Sequence, residues 1–165
     1  MIAIQNNTDE NFTSIRAIAK EVWPIAYGAI LSKEQLDYMM EMMYSISSLQ
    51  LKANTKKHRF ILAKEDETIL GFASYEFNHS KKPKTKIHNI YILPNQQGKG
   101  IGKELIDFIA NEAKQRHQKA LILNVNKKNI AIRFYERIGF DISFEEVIDI
   151  GNGYVMDDYV MEKSI

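Results

Sequence analysis

A glycine-rich segment at residues 97–102 is the part of this chain whose residue types predict chemistry most directly. A hydrophobic stretch at 87–93 precedes it and an amphipathic stretch from Ile101 to about Arg116 follows, which predicts a strand-to-helix turn. Glycines at such a turn let the backbone approach a ligand closely. The first N–H groups of a helix point outward and carry partial positive charge. The segment is therefore predicted to bind an anionic group, most often a phosphate.

Two well-known phosphate motifs do not fit this turn. A P-loop requires two glycines separated by four residues and then Lys with Ser or Thr. Here Gly98 and Gly102 are separated by three residues, and Lys103 is followed by Glu104. A dinucleotide fingerprint would require glycine at position 103 and a place near the start of a βαβ domain. Neither motif is predicted.

A second segment with regular spacing begins about twenty residues later, at 120–126. Leu121, Leu123 and Val125 alternate there, which predicts a strand with these residues on one face. Asn124 lies on the opposite face and is a candidate to face a ligand cleft.

The residues after that strand predict a short helix at 130–138. Ile130, Phe134 and Ile138 recur at helical spacing, so we expect them to form one buried stripe. Gly139 is a natural residue at which this helix would end.

Together the two segments resemble the GNAT superfamily of N-acyltransferases. The pattern Gln97-x-x-Gly100-x-Gly102 resembles the acetyl-CoA pyrophosphate motif of that superfamily. The order of strand, Asn, short helix, Phe-Tyr and Gly-Phe within 120–140 is also the order found after its CoA-binding helix. The resemblance covers roughly residues 58–163.

The resemblance implies an α/β (α+β) fold with a mixed, mostly antiparallel central sheet of about seven strands flanked by helices. The sheet would splay between strands 86–93 and 119–126 to admit pantetheine. The sequence pattern places the remaining elements as strands at 2–5, 58–65, 68–78, 140–150 and 154–162, and helices near 9–20 and 32–45. Ser32 with Gln35 predicts a capping box for the second of these helices.

Two residues are candidates for catalysis of acyl transfer to an amine. A phenol with a pKa near 10 stays protonated at neutral pH and can donate to a departing thiolate, and Tyr135 matches the tyrosine commonly proposed as general acid in the superfamily. Its alternative role is a core aromatic residue. His88 alternates with Ile90 and Ile92 and is the candidate base, because imidazole titrates in the useful range. Some members have glutamate at the matching position, so a histidine that makes one structural hydrogen bond is an equal alternative.

The cofactor groove is expected to use mainly backbone atoms. By resemblance, Ile92 and Leu93 would offer amides to the pantetheine arm and the thioester carbonyl, and Asn129 would contact pantetheine or phosphate. The alternative for Asn129 is an N-cap of the short helix. The full set of candidate cofactor-binding residues is Ile92, Leu93, Gln97, Gly98, Lys99, Gly100, Ile101, Gly102, Lys103, Asn124 and Asn129.

Composition limits the remaining function classes. The 165 residues with 45% apolar content predict a single N-acetyltransferase domain over 1–165, and a net charge of +1 provides no argument for nucleic-acid or membrane binding. With no leader-like or spanning segment, a cytoplasmic location is expected. The chain has no cysteine, so direct attack of an amine on acetyl-CoA is the simplest scheme, and no metal is expected. A homodimer is possible. The alternative function is a non-catalytic CoA-binding regulator on the same fold.

Overall fold

The computed structural model describes residues 1–165 apart from the side chain of Asp9. The described chain contains seven strands, five α-helices and three short 3-10 turns. The strands are β1 (Ala3–Asn6), β2 (Arg59–Glu65), β3 (Thr68–Glu76), β4 (Lys84–Ile92), β5 (Ala120–Asn126), β6 (Asp141–Gly151) and β7 (Tyr154–Ser164). The helices are α1 (Phe12–Tyr27), α2 (Lys33–Tyr44), α3 (Ile46–Asn54), α4 (Ile101–Gln115) and α5 (Ala131–Arg137). The 3-10 turns are Asp9–Asn11, His79–Lys81 and Pro94–Gln96.

The chain divides into two compact units. The first unit consists of Met1–Glu76 and Asn89–Ile109, and the second consists of Phe77–His88 and Ala110–Ile165. The boundaries fall within β4 and α4, so each of these two elements contributes residues to both units. The prediction of one domain over 1–165 stays a prediction.

The first unit is built on antiparallel pairing of β1, β2 and β3. Ala3 pairs with Lys64, and Arg59 pairs with Tyr75. The middle of β2 is a continuous run of buried apolar residues at 60–63, which indicates that both faces of this strand are covered. α1 presents a buried apolar stripe that includes Ile15, Ala19 and Val22 at helical spacing.

The second unit contains β4, β5, β7 and β6 in that spatial order. The β4–β5 pairing is parallel from Lys84 with Ala120 to Ile87 with Leu123, whereas β5–β7 and β6–β7 are antiparallel. Leu121, Leu123 and Val125 are all buried, as their alternation predicts. The hairpin between β6 and β7 turns at 151–153, where the φ angles are +87°, +55° and +79°.

These elements confirm the predicted fold class, a mixed and mostly antiparallel sheet of about seven strands flanked by helices. The opening between β4 and β5 beyond their paired residues stays a prediction. Ser32 caps α2 as predicted, because its Oγ accepts a hydrogen bond from the backbone N–H of Gln35 at 3.1 Å.

Two predictions about helices are wrong in part. The helix near 9–20 is longer, since α1 continues to Tyr27 through Pro24. The sequence pattern also missed α3 altogether. Ser45 ends α2 in an extended conformation, and its Oγ accepts from the N–H of Ser48, so α3 begins at the next residue. A single capping serine separates two helices that the apolar pattern alone does not resolve.

The predicted buried stripe of Ile130, Phe134 and Ile138 is wrong. Ile130 is 88% exposed because α5 begins only at Ala131, so the helical spacing does not extend back to it. Tyr135 is the buried residue of α5. Gly139 follows the helix with φ of +103°, which agrees with the predicted stop.

Among the residues described, none of the helices is both long enough and apolar enough to cross a membrane.

Candidate active site

The turn at 97–102 has the open backbone geometry that its glycines predict. Gly98 and Gly100 have φ of +81° and +80°, a region that L side chains rarely adopt. A Cβ added at either position would meet no heavy atom within 4 Å. These glycines are therefore required by backbone conformation, and the space beside them is open to a ligand.

The turn leads directly into the first turn of α4. The carbonyl of Gly100 accepts from the N–H of Glu104 at 3.1 Å, which begins the helical hydrogen-bond ladder. The preceding amides at 101–103 belong to the first helical turn, where N–H groups have no intrahelical acceptor. Ile101 is 1% exposed, so a buried side chain holds this helix start in place. The arrangement suits an anion because the dipole and the unused donors act in the same direction.

Two side chains of the turn, and that of Lys103 directly after it, are held by nearby residues of the same unit. Gln97 Nε2 donates to the carbonyl of Ile92 at 3.3 Å, which ties the turn to the end of β4. Lys99 Nζ donates to Gln96 Oε1 at 2.9 Å. Lys103 Nζ lies 2.7 Å from Asp107 Oδ2 on the next helical turn. Both lysines keep exposed ammonium groups beside the turn and add positive charge there.

Leu93 uses its backbone N–H within the protein. That N–H donates to the carbonyl of Leu70 on β3 at 2.9 Å. The two strands approach closely here, because a Cβ on Gly71 would lie 2.6 Å from the carbonyl oxygen of Tyr91. An amide contact from Leu93 to a thioester would require its bond to Leu70 to break.

Tyr135 lies on α5 in the second unit and is 8% exposed. Its ring packs edge-on against Phe134 and Phe140, with centroid distances of 5.3 and 5.8 Å. Its carbonyl accepts from the N–H of Phe140 at 3.0 Å, which fixes the chain after Gly139. The ring is thus held rigidly, as both a general acid and a core aromatic residue would be.

His88 is half-buried on β4 in the second unit. Its ring centroid lies 5.8 Å from that of His79, at an interplanar angle of 76°. The two rings therefore meet nearly edge-on.

Asn124 and Asn129 have local partners in the second unit. Asn124 Nδ2 donates to Glu146 Oε2 at 2.8 Å and to Asp158 Oδ2 at 3.4 Å. Asn129 Oδ1 accepts from the N–H of Ala131, the first residue of α5, at 2.9 Å. Ile130 holds the N-cap position of this helix, so the N-cap role considered for Asn129 is wrong, and its bond is a local contact beside the helix start.

The structure divides the predicted site residues between the two units. The cofactor candidates from Ile92 to Lys103 all belong to the first unit. His88, Asn124, Asn129 and Tyr135 belong to the second.

Sequence reasoning missed one buried group, Asp158, which is 1% exposed. It alternates with Met156 and Val160 on β7, and an acidic residue within such an apolar alternation was the signal available.

The chain is similar to known acetyltransferases. The model of the acetyltransferase (GNAT) family matches residues 12–140. A 5-NmdU N-acetyltransferase of Pseudomonas phage PaMx11 is 30% identical over 148 residues, which cover 89% of this chain and 92% of that protein. A spermidine N(1)-acetyltransferase of Thermoplasma acidophilum is 22% identical, and the match covers 94% of this chain and 96% of that one.

A solved structure has the same fold. The crystal structure of PaiA N-acetyltransferase from Thermoplasma acidophilum in complex with coenzyme A superposes with a TM-score of 0.84 at 24% identity, covering 100% of this chain and 99% of that one.

The chain belongs to the GNAT family of acetyltransferases. It is an acyltransferase that uses acetyl-CoA for N-acetyl transfer, and its acceptor is unidentified.

Proposed function

We propose that acetyl-CoA binds at the turn 97–102 and that its acetyl group passes directly to a primary amine of a small molecule, peptide or protein. The observation that supports this assignment is the pair of open, positive-φ glycines, Gly98 and Gly100, immediately before a helix start. Backbone donors of this kind suit a pyrophosphate, and Lys99 and Lys103 add charge of the correct sign. Acetyl-CoA, when bound, supplies a thioester carbonyl that an amine can attack.

The acceptor amine would attack without a covalent acyl-enzyme. The chain has no cysteine, so an S-acyl-enzyme through a cysteine thiol cannot form. In direct transfer the new C–N bond forms as the C–S bond breaks, and the amine loses one proton while the thiolate gains one. The protein therefore needs a proton acceptor for the amine and a proton donor for the sulfur.

Tyr135 is the proposed donor to the sulfur. Its ring is immobilised between Phe134 and Phe140, so its hydroxyl has a fixed direction. A phenol ordinarily titrates near pH 10 and is protonated at neutral pH.

His88 is the proposed acceptor of the amine proton, directly or through one water. Neutral imidazole carries one acceptor nitrogen. The ring of His88 lies edge-on to that of His79, which limits the directions in which its nitrogens can point.

Asn124 and Asn129 are proposed to assist cofactor binding, together with Ile92 and Leu93 at the end of β4. For Leu93 the carbonyl and side chain are the available groups, since its N–H is bonded to Leu70. A cytoplasmic location and a homodimer remain proposals from the sequence.

Isothermal titration with acetyl-CoA tests cofactor binding. Release of free thiol, followed with a chromogenic disulfide, then tests turnover over a panel of primary amines, amino acids and peptides. Saturable binding with amine-dependent thiol release supports the proposal. Binding without release for every acceptor would favour the CoA-binding regulator, and absence of binding at millimolar acetyl-CoA would overturn the site.

A further inference from the structure

The C-terminal end of α5, in the second unit, is closed by hydrogen bonds that involve the backbone of Tyr135. α5 has only seven residues, and a helix this short is not stable without contacts to the rest of the fold. The N–H of Phe140 donates to the carbonyl of Tyr135 at 3.0 Å. The N–H of Gly139 donates to the carbonyl of Glu136 at 3.1 Å, and Gly139 has φ of +103°. These features define a Schellman motif, in which the longer of the two bonds closes on Tyr135.

The same motif also holds the ring of Tyr135. A Schellman motif commonly brings the side chains at its two ends into apolar contact. Here the rings of Tyr135 and Phe140 meet edge-on, with their centroids 5.8 Å apart. Phe140 is 1% exposed, so this contact is anchored in the core. The direction of the Tyr135 side chain therefore depends on how the chain leaves α5.

Lys163 on β7 binds the last carbonyl of this helix end. Its Nζ donates to the carbonyl of Ile138 at 2.7 Å, in a partly buried position. Ile138 is the C-cap residue of α5, and the last four carbonyls of a helix have no acceptor role within it. A cation at a helix C-terminus is also favoured by the helix dipole. The bond therefore fastens the end of α5 to a strand that lies 25 residues later in the chain.

The aliphatic stem of Lys163 passes directly beside Gly139. A Cβ added to Gly139 would lie 3.3 Å from Cε and 3.5 Å from Cδ of Lys163. The missing side chain at 139 thus permits both the positive φ and the close approach of the lysine. Lys163 is the cross-strand partner of Leu121, which is 0% exposed. Because directly opposite residues share a face of the sheet, Lys163 reaches α5 from the covered face.

We propose that Lys163 is a positioning residue for acetyl transfer, because its bond to the C-cap of α5 fixes the orientation of the Tyr135 ring and hydroxyl. This inference rests on the proposed function, in which Tyr135 donates a proton to the departing sulfur. A proton donor must lie within hydrogen-bond reach of the atom that it serves. A displacement of about 1 Å can lower a rate on the order of 10²-fold. Lys163 acts through Tyr135 and does not itself touch acetyl-CoA or the acceptor amine in this scheme.

Steady-state kinetics of thiol release test the inference with Lys163→Met, which keeps an apolar stem and removes the ammonium. We expect kcat to fall about fivefold or more. The KM and Kd for acetyl-CoA should stay within about twofold, since the substitution affects the chemical step. Lys163→Arg restores a cationic donor and should recover more than about half of the wild-type kcat. Lys119→Met, at the exposed residue before β5, is the control and should keep the wild-type kcat.

The same substitution in the Tyr135→Phe background separates positioning from a general loosening of the fold. If Lys163 acts through the Tyr135 hydroxyl, Lys163→Met should lower the kcat of Tyr135→Phe by less than about twofold. A residue with a merely structural role would slow both backgrounds by the same factor. If Lys163→Met does not fold, as judged by circular dichroism, Lys163→Thr takes its place, because threonine suits a strand and is too short to reach Ile138.

The kinetics of the single variants separate this inference from the proposed function. If Tyr135→Phe is slow and Lys163→Met keeps the wild-type kcat, the positioning role of Lys163 is overturned and the proposed acid stands. An equal loss from Lys163→Met in both backgrounds has the same meaning. A wild-type rate in Tyr135→Phe overturns the proposed acid, and the role of Lys163 falls with it.

Discussion

Asn89 Nδ2 on β4 donates a hydrogen bond of 2.7 Å to the hydroxyl of Tyr44 at the end of α2. The other end of the same carboxamide accepts from Ser74 Oγ on β3, also at 2.7 Å. Tyr44 and Ser74 are both 0% exposed, so this one side chain satisfies two buried hydroxyl groups. Burial also raises the pKa of Tyr44, which keeps its hydroxyl protonated.

The first prediction concerns the hydrogen bonds of Asn89 with Tyr44 and Ser74. Replacing Asn89 by Ala removes one hydrogen-bond partner from each of two buried hydroxyl groups, and each such loss costs about 1–3 kcal/mol. We expect the free energy of unfolding to fall by about 2–4 kcal/mol in urea titrations followed by circular dichroism. Asn95→Ala, at an exposed position, is the control and should change stability by less than about 0.5 kcal/mol. A small effect in Asn89→Ala would show that water replaces the carboxamide.

The second prediction separates the binding role of the glycine turn from its conformational role. Gly100 and Gly153 have nearly the same φ, +80° and +79°, and open space around both. Alanine at either position should cost about 1–2 kcal/mol of stability through backbone strain. Only Gly100→Ala should also weaken acetyl-CoA binding, by about tenfold in isothermal titration. Equal acetyl-CoA affinities in the two variants would remove Gly100 from the binding site.

The third prediction tests Tyr135 as general acid. Tyr135→Phe removes the hydroxyl and keeps the ring that packs against Phe134 and Phe140. Thiol release with a reactive amine should slow by roughly 10²-fold or more, while acetyl-CoA affinity stays within about twofold. Tyr154→Phe, in the β6–β7 hairpin, is the matched control. An unchanged rate in Tyr135→Phe assigns Tyr135 to the core alone.

The fourth prediction concerns His88 and the pH dependence of turnover. A histidine base produces a rising limb of kcat/KM as its imidazole loses a proton. His88→Ala should lower the rate and remove that limb, whereas His117→Ala, in the exposed turn after α4, should preserve it. A limb that persists unchanged in His88→Ala would assign the titration to another group.

The fifth prediction concerns Lys52, which caps the C-terminal end of α2. Its Nζ donates to the carbonyl of Met43 at 3.0 Å and lies 5.7 Å from the centre of the Tyr44 ring. Burial lowers the pKa of Lys52 to about 8, with a smaller contribution from the charge of Lys56. In the unfolded chain the group titrates near pH 10.4.

The sign of the stability change follows from these pKa values. Between about pH 8 and pH 10 the unfolded chain holds the Lys52 proton and the folded protein releases it, so stability rises with pH. We expect this residue to contribute a rise of about 1–3 kcal/mol across that window. The stability of Lys52→Met, measured in urea at each pH, should lack that rise, and that of Lys114→Met should retain it. If the free energy of unfolding changes with pH in the same way in the wild type and in Lys52→Met, the lowered pKa of Lys52 is contradicted.

Much of the fold was predictable from local patterns. Alternation in β5 and the amphipathic pattern of α4 are signals that local backbone geometry produces directly. The glycine turn was predictable for the same reason, since positive φ is a property of a single residue. The start of α5 was not predictable, because a helix of seven residues is too short for the spacing of apolar residues to define its ends. Ile130 lies just before its first residue. The boundary between α2 and α3 depends on one serine cap, which an apolar pattern does not record.

By itself, the sequence determined the family, because the motif residues lie close together along the chain and their pattern reflects local backbone conformation. Tertiary structure alone decided which distant side chains became partners: Asn89 with Tyr44, and Asp158 with Glu146 and Asn124. These pairings depend on strand register and on which face of the sheet is covered. Register is set by the packing of the whole chain, so these partners meet only in the folded protein.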